Sequence, residues 1–557
     1  MIQTPPLFLP LPTPDEMSRW DSGATSLYSI PSLMLMENAA QASFDVLARS
    51  CALGPDTKIL VFAGKGNNGG DGVALARILH DEGYVVRVVV TTSPDELPSP
   101  AWEHAAMALA LGVPFVFPDA DGTLPDFVDP ADPAFSPHVV VDALTGTGIR
   151  GNLRERELEL VRRINSFKGK AFILSLDIPS GLSGLSGKAM PEAVRADATV
   201  CFEAGKPGLY MPGAAEYTGE LHVRRVGIPL ELRKRFPASW RLLSPRPGAW
   251  ALPSPCSHKG NAGKVLIVGG SEGMAGAPLL AALGALRCGS GLVHAALPGG
   301  LEAAVRAGWP EVLAMPVGND TRWRETDLPV ILDMTARLRP GCLVLGPGMG
   351  RDAGVAELVR GILAMPDRPP VLLDADALYF LDTQGNAGSG SETSGRVPLS
   401  LLGPADILTP HPGEMARMLP DYFFSEMAGE DGDTSGSENR IVLLQEHRAE
   451  ALARFTAACP AVLVLKGAGT LVGKQEAPVT LSPFSVAALG VGGSGDVLAG
   501  VCASLVASGM DSLDAACLGV HLHGRAGELL GSHAARGHLA REIAGRIPEA
   551  WQELCRC

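Results

Sequence analysis

The chain has 557 residues, 46% hydrophobic and 19% charged, enough to bury large cores in at least two domains. Its formal charge of −14 argues against nucleic acid and against an anionic membrane surface, so an acidic ligand must be held by local backbone donors. The ten cysteines are scattered with no Cys-x-x-Cys pair, which suits a reducing cytosol and argues against a zinc site or disulfide framework.

The opening Met1-Ile-Gln-Thr-Pro-Pro lacks the basic-then-apolar pattern of a signal peptide, and no apolar run is long enough to span a bilayer. A cytoplasmic protein without a membrane partner is expected, and a homo-oligomer. Leu35, Ala39, Ala42 and Val46 predict a helix over 31–50, with Glu37 and Asn38 on its solvated face. Lys58–Ala63 reads as a buried strand, running into Gly64-Lys-Gly-Asn-Asn-Gly-Gly-Asp-Gly72 and an apolar helical pattern over 73–80, then a strand over 84–90. This is a βαβ unit with Gly-x-Gly-x-x-Gly at its first turn, a weak signal by itself. The second strand ends in Thr91-Thr92-Ser93, with no acid for a ribose diol, so this is no ordinary dinucleotide site. The loop offers backbone donors to phosphate and the oxygens of Asn67, Asn68 and Asp71 to a hard cation, or it is simply a polar turn.

Two further apolar strands are predicted over 137–141 and 171–176. The first ends in Asp142-Ala-Leu-Thr-Gly-Thr-Gly-Ile-Arg-Gly151 and the second in Asp177-Ile-Pro-Ser-Gly181. Strand C-termini line the ligand crevice of an open α/β sheet, so Asn68, Asp71, Asp142, Asp177 and Ser180 are expected to converge. The alternative is that Asp142 and Asp177 only cap the next helices.

These motifs, with Leu35-Met-Glu-Asn-Ala-Ala40, resemble the NAD(P)H-hydrate epimerase domain over roughly residues 10–230. The resemblance implies a Rossmann-like layered fold. It also implies that Asn67, Asn68, Gly69, Gly70, Asp71, Gly146, Thr147, Gly148, Ile149, Arg150, Gly151, Asn152 and Asp177 contact the hydrated nicotinamide nucleotide. A potassium ion would lie among Asn68, Asp142 and Ser180, an oxygen-only set that suits a hard cation.

Residues 232–257 are rich in Pro, Arg and Ser and read as a linker. The expected division is 1–235, a linker over 236–255, and 256–557. The second half repeats an α/β pattern of apolar strands that end in small or polar loops. These loops include Gly269-Gly-Ser-Glu-Gly-Met-Ala-Gly-Ala277, Gly346-Pro-Gly-Met-Gly350, Asp374-Ala-Asp376, Thr409-Pro-His-Pro-Gly-Glu414, Lys466-Gly-Ala-Gly-Thr470 and Gly490-Val-Gly-Gly-Ser-Gly-Asp496. In the last, glycines turn backbone N–H groups toward one point, and an apolar helical pattern starting at Val497 adds its positive end. Asp496 is a carboxylate where anions bind. It is a proton acceptor for a group attacking phosphate, or a helix N-cap.

This set resembles the ribokinase-like fold and, within it, the NAD(P)H-hydrate dehydratase family over roughly 256–540. The resemblance implies that Lys466, Gly467, Ala468, Gly469, Thr470 and Gly495 contact adenine nucleotide, and that Ala277, Gly348, His411 and Asp496 lie against the hydrated dinucleotide. Glu414 sits like a metal-organising glutamate, which suggests Mg²⁺, and ADP is expected as phosphoryl donor. The chain departs from the usual Gly-Thr-Gly-Asp or Gly-Met-Gly-Asp with Gly493-Ser-Gly-Asp496, and carries polar insertions over 384–396 and 427–439, read as flexible loops. Asp496 and Asp177 are the expected proton carriers of dehydration and epimerisation. Two competing readings are a ribokinase-type small-molecule kinase with a regulatory nucleotide-binding domain, and an N-terminal half that only binds a ligand or protein.

Overall fold

The computed structural model describes residues 8–92, 96–118, 135–149, 151–245, 262–306, 309–382, 396–428 and 436–555. The opening stretch 1–6, Arg150, linker residues 246–257 and most of both polar insertions lie outside these ranges. Contacts divide the chain into two compact units, Leu9–Leu242, and Phe8 together with the chain from Leu243 onward.

In the first unit the strands lie in the order Phe115–Val116, Val85–Val90, Lys58–Ala63, Val139–Ala143, Phe172–Leu176, Ala198–Phe202, Glu220–Arg224, and every pair is parallel. The Lys58–Ala63 strand is continuously apolar from Ile59 on because both its faces are covered. Ile59, Val61 and Ala63 pack with the helix Asn67–Asp81, and Leu60 and Phe62 with the helix Glu155–Asn165.

The 67–81 helix starts six residues before the apolar pattern, so Asn67, Asn68 and Asp71 stand on its first turns rather than on a loop. The glycines that made this stretch read as a turn are needed for close packing. A Cβ on Gly69 would lie 1.7 Å from Gly64 O, and one on Gly72 would lie 2.5 Å from the Ala143 Cβ. Asp142 likewise sits inside its strand rather than after it.

In the second unit the order is Val479–Leu481, Leu471–Gly473, Val462–Leu465, Ile407–Leu408, Val371–Leu373, Cys342–Leu345, Lys264–Val268, Leu292–Pro298, Leu313–Val317. The pairs from Val462–Leu465 onward are parallel and the first two are antiparallel. The helices Gly276–Cys288 and Ser494–Ala507 pass backbone to backbone. A Cβ on Gly284 would come 2.3 Å from Val497 O, and one on Gly500 would come 1.8 Å from Ala281 O. Val497, Val501 and Leu505 are buried there, each worth about 1.5–3 kcal/mol.

This helix begins three residues before the apolar pattern, with Gly493 as its N-cap at φ 89°. Asp496 is therefore its third residue, and the N-cap reading falls. The ends of the 427–439 insertion are helical, in Asp421–Ala428 and Ser437–Glu446. Among the described residues no helix is long and apolar enough to cross a membrane.

Candidate active sites

The C-terminal ends of the first unit's strands open on a cavity of about 1440 Å³. Its wall includes Asn67, Asn68, Asp71, Gly146, Thr147, Gly148, Ile149, Asn152 and Asp177 from the expected set. Gly69, Gly70 and Gly151 are not among the described lining residues. Gly70 instead packs under Met36 and Ala101, where a Cβ would lie 2.6 Å from the Met36 Cε.

Asp177 follows the Phe172–Leu176 strand with φ 60°, a left-handed conformation that costs a non-glycine residue about 1–3 kcal/mol. Its Oδ1 is gripped by the ammonium of Lys206, which is fully buried, and accepts the Phe202 N–H at 3.3 Å. Burial works against the charge on Lys206, but Asp177 outweighs it and holds the lysine protonated. Asp21, from the helix Pro14–Tyr28, also lines the cavity. Its carboxyl is pushed up to about 7, by burial first and then by Asp177, against Lys206. Burial, Asp177 and Asp21 raise Asp71 as well. Lys206 and Asp21 went unnoticed in the sequence. The signal for Lys206 was a glycine-flanked lysine, Gly205-Lys-Pro-Gly208, at the end of an apolar strand; Asp21 carries no motif.

Asn68, Asp142 and Ser180 do meet, around Thr145. Asn68 Nδ2 donates to Thr145 O at 3.0 Å, and Thr145 N donates to Ser180 Oγ at 2.9 Å. The Asp142 carboxylate accepts from Ser180 Oγ at 2.5 Å, Ser180 N at 2.9 Å, Ser175 Oγ at 2.8 Å and Leu144 N at 3.4 Å. It caps no helix. Burial raises its pKa, and these donors pull it back. Asn68 Oδ1 is buried without a hydrogen-bond partner. An orphaned carboxamide oxygen beside a carboxylate and a hydroxyl is a donor set that fits a hard monovalent cation.

In the second unit Asp496 is half-buried, and among the described residues its carboxylate makes no hydrogen bond. Burial first, then Asp374, Glu414 and Asp376, push it up to about 8, against Lys466. Lys466 is bound at 2.7 Å to Asp374, which also accepts Thr409 Oγ1 at 2.9 Å, and it stands 4.0 Å from Glu414. A Cβ on Gly495 would lie 3.1 Å from the Lys466 Nζ, so the lysine tip comes close to the helix backbone here.

His411 caps the helix Pro412–Met418. Its Nδ1 accepts Gly413 N at 3.0 Å, and its own N–H donates to Glu414 Oε2 at 2.8 Å. Burial and then Lys466 lower its pKa to about 4, so the ring is neutral with its proton on Nε2. Burial raises the Glu414 carboxyl, opposed by Lys466.

Gly348 has φ 62°, and a Cβ there would meet the Ala277 Cβ at 3.2 Å, so these two expected contacts are neighbours. The Lys466–Thr470 turn is braced by Arg448, unnoticed in the sequence. The guanidinium donates to Ala468 O at 2.5 Å and Leu465 O at 3.1 Å. Gly467, at φ 138°, packs on that guanidinium, Gly469 N donates to Phe484 O at 2.9 Å, and Thr470 Oγ1 donates to Gly467 O at 2.9 Å. Pattern marks the Asp374 loop but not its partner, which lies 92 residues on, and it gives no sign that Arg448 reaches the 465–468 carbonyls.

Residues 265–549 match the family model described as NAD(P)H-hydrate dehydratase, and residues 32–208 match the one described as YjeF-related protein N-terminus. The bifunctional NAD(P)H-hydrate repair enzyme Nnr of Moorella thermoacetica is 34% identical over 98% of this chain and 97% of its own. The namesake from Dictyoglomus turgidum is 32% identical over 98% and 99%. A crystal structure of ADP/ATP-dependent NAD(P)H-hydrate dehydratase from Bacillus subtilis, co-crystallised with ATP/Mg²⁺, is 28% identical, covers 55% of this chain and 94% of its own, and superposes with a TM-score of 0.41. With two full-length relatives above 30% identity, the chain belongs to the family of bifunctional NAD(P)H-hydrate repair enzymes.

Proposed function

We propose that this chain repairs hydrated NADH and NADPH. The first unit interconverts the two epimers at the hydrated carbon. The second unit dehydrates the S form at the expense of ADP, giving AMP and phosphate. The observation that carries the reading is the pair of carboxylates, Asp177 and Asp496, each facing a nucleotide-sized or anion-ready site from the end of a parallel strand or the start of a helix.

In the second unit Asp496 takes the proton of the ring hydroxyl as it attacks the terminal phosphoryl group. The N–H groups of Gly493 and Gly495 stabilise the charge on that group, the Ser494 N–H being donated to Val491 O at 3.2 Å. Lys466 and the turn to Thr470, braced by Arg448, hold the adenine nucleotide, and Gly495 gives the phosphates room beside Lys466. The hydrated ring lies over Ala277, Gly348 and neutral His411. Phosphate then leaves, pushed by the ring nitrogen lone pair, and the reduced cofactor is restored. Asp374, Glu414 and Asp496 share the field of Lys466, while Asp376 is paired with Arg351; Mg²⁺ held by Glu414 would add positive charge here and neutralise phosphate oxygens.

In the first unit Asn67, Asn68, Asp71 and the 146–152 loop bind the dinucleotide, and Asp177 carries the proton. Asn68 Oδ1, Ser180 and Asp142 would hold K⁺, which would tie the strand-end loops together. We place the domain division at 242/243, because Phe236 O accepts the Trp20 indole N–H at 2.8 Å and so belongs to the first unit.

Incubating the protein with both epimers of hydrated NADH, with and without ADP, tests the whole reading. Epimer exchange without nucleotide and dehydration only with it are expected. ADP-independent loss of both epimers, or phosphorylation of an unrelated alcohol in their place, would overturn it.

A further inference from the structure

Lys206 is a fully buried ammonium with three acceptors for its three protons. These are Asp177 Oδ1, Phe202 O at 3.1 Å and Cys201 Sγ at 3.2 Å. A lysine is sequestered this way only when its charge is matched, and Asp177 is the match. The same grip, joined by the Phe202 N–H, immobilises Oδ1 of Asp177. Oδ2 is left facing the Gly146 turn, where a Cβ on Gly146 would lie 3.8 Å from it. The main chain cooperates, since both Asp177 and Glu203, which end neighbouring strands, adopt φ 60°. Asp21, Asp71 and Glu203 are the other acids whose fields reach this point, and Cys201 and Tyr210 the other titratable groups beside the lysine.

We propose that Lys206 is a positioning residue of the epimerase site, which fixes one oxygen of Asp177 so that the other is aimed at the substrate carbon beside the Gly146 turn. The inference rests on the reading of Asp177 as the proton carrier. Lys206 does not itself touch substrate; its effect passes through Asp177. Loss of the grip leaves binding by the cavity walls intact but lets the carboxylate rotate, and a misplacement of about 1 Å costs on the order of 10²-fold in rate.

The test is steady-state epimerisation by the full-length protein, followed by chromatography of the two epimers. It uses Asp177→Asn, Lys206→Met, Lys206→Arg and the double variant Lys206→Met/Asp177→Asn. Lys206→Met is expected to lose about 10²-fold in kcat with KM nearly unchanged, and Lys206→Arg to recover part of the loss. The double variant removes both buried charges together, so it remains informative if Lys206→Met alone does not fold. It is expected to be no slower than Asp177→Asn, because the lysine has no carboxylate left to aim. A double variant slower than Asp177→Asn by the full Lys206→Met factor overturns the inference, as does a Lys206→Met protein with wild-type kcat. If Asp177→Asn itself turns over at the wild-type rate, the proton-carrier reading falls, and the inference with it.

Discussion

Both units place a lysine just after the end of a sheet strand, fully buried in the first and half-buried in the second, but the two charges are used differently. In the first unit Lys206 is bound to Asp177, the proposed proton carrier itself. In the second, Lys466 is bound to Asp374 rather than to Asp496, which is left without a hydrogen bond among the described residues. Asp496 then feels burial and the neighbouring acids, and its carboxyl rises to about 8. The contrast teaches that a lysine in a site sets what a nearby carboxylate can do by which one it pairs with. A paired carboxylate is fixed in place. An unpaired one is poised to exchange a proton near neutrality, which suits deprotonation of a hydroxyl at the moment of attack.

The sharpest way to break this comparison is Asp496→Asn. Loss of a positioned general base costs about 10²–10⁴ in rate, so ADP-dependent dehydration should collapse while epimer exchange persists. Near-normal dehydration by the Asn protein would reduce Asp496 to a helix residue. A smaller effect follows from pH. Asp496 accepts a proton only when ionised, and its pKa of about 8 lies above the ordinary 3.8. Dehydration kcat/KM should therefore climb about tenfold per pH unit up to about 8 and then level. Between about 4 and 8 the folded chain keeps a proton that the unfolded chain has lost, so this group's contribution to stability falls as pH rises through that window. A rate flat from pH 6 to 9 would show that the base is another group.

Asp374→Asn sharpens the comparison further. Asp374 raises Asp496 and holds Lys466, so neutralising it removes one repulsion and frees an ammonium for Asp496. The acid limb of the dehydration profile should move to lower pH, while the protein becomes less stable, because breaking a buried pair costs about 3–5 kcal/mol. An unmoved limb would mean that the two carboxylates do not interact.

What the sequence showed and hid has one physical source. The strands that run into the site loops were legible because they are apolar almost throughout, and the ends of Lys58–Ala63 and Val462–Leu465 fall as expected, whereas the polar strand Glu220–Arg224 went unread. The helix starts at Asn67 and Ser494 were hidden, because their first turns are made of glycines and polar groups that serve packing and the sites, against local propensity. Asp142, Asp177 and Asp496 stood out because each sits in a motif that also holds glycines. Lys206 and Arg448 did not, and the Asp374-Ala-Asp376 loop gave no sign of its partner, since Asp177, the 466–470 turn and Lys466 are brought to them only by folding.

The smallest expected effect concerns the cluster around Asp142 in the first unit. Asp142 is buried against Ser175, Ser180 and Leu144 N–H, with no lysine or arginine among those partners. Beside it Asn68 Oδ1 lacks any partner. Ser180 Oγ has one proton and lies closer to Asp142 Oδ1, at 2.5 Å, than to Thr145 O, at 3.2 Å, so the Thr145 carbonyl keeps a lone pair for another charge. One carboxylate backed by neutral oxygens favours a large monovalent ion over Mg²⁺, which demands a small octahedral shell. Epimerisation should therefore run several-fold faster in K⁺ than in Li⁺ buffer, and Asn68→Ala should erase the difference. Dehydration of the S epimer, carried out at Asp496, should be the same in both salts. Equal epimerisation rates for the wild type in the two salts would mean that the pocket around Thr145 is held by hydrogen bonds alone. A matching salt effect on dehydration would place the ion's action outside this loop cluster.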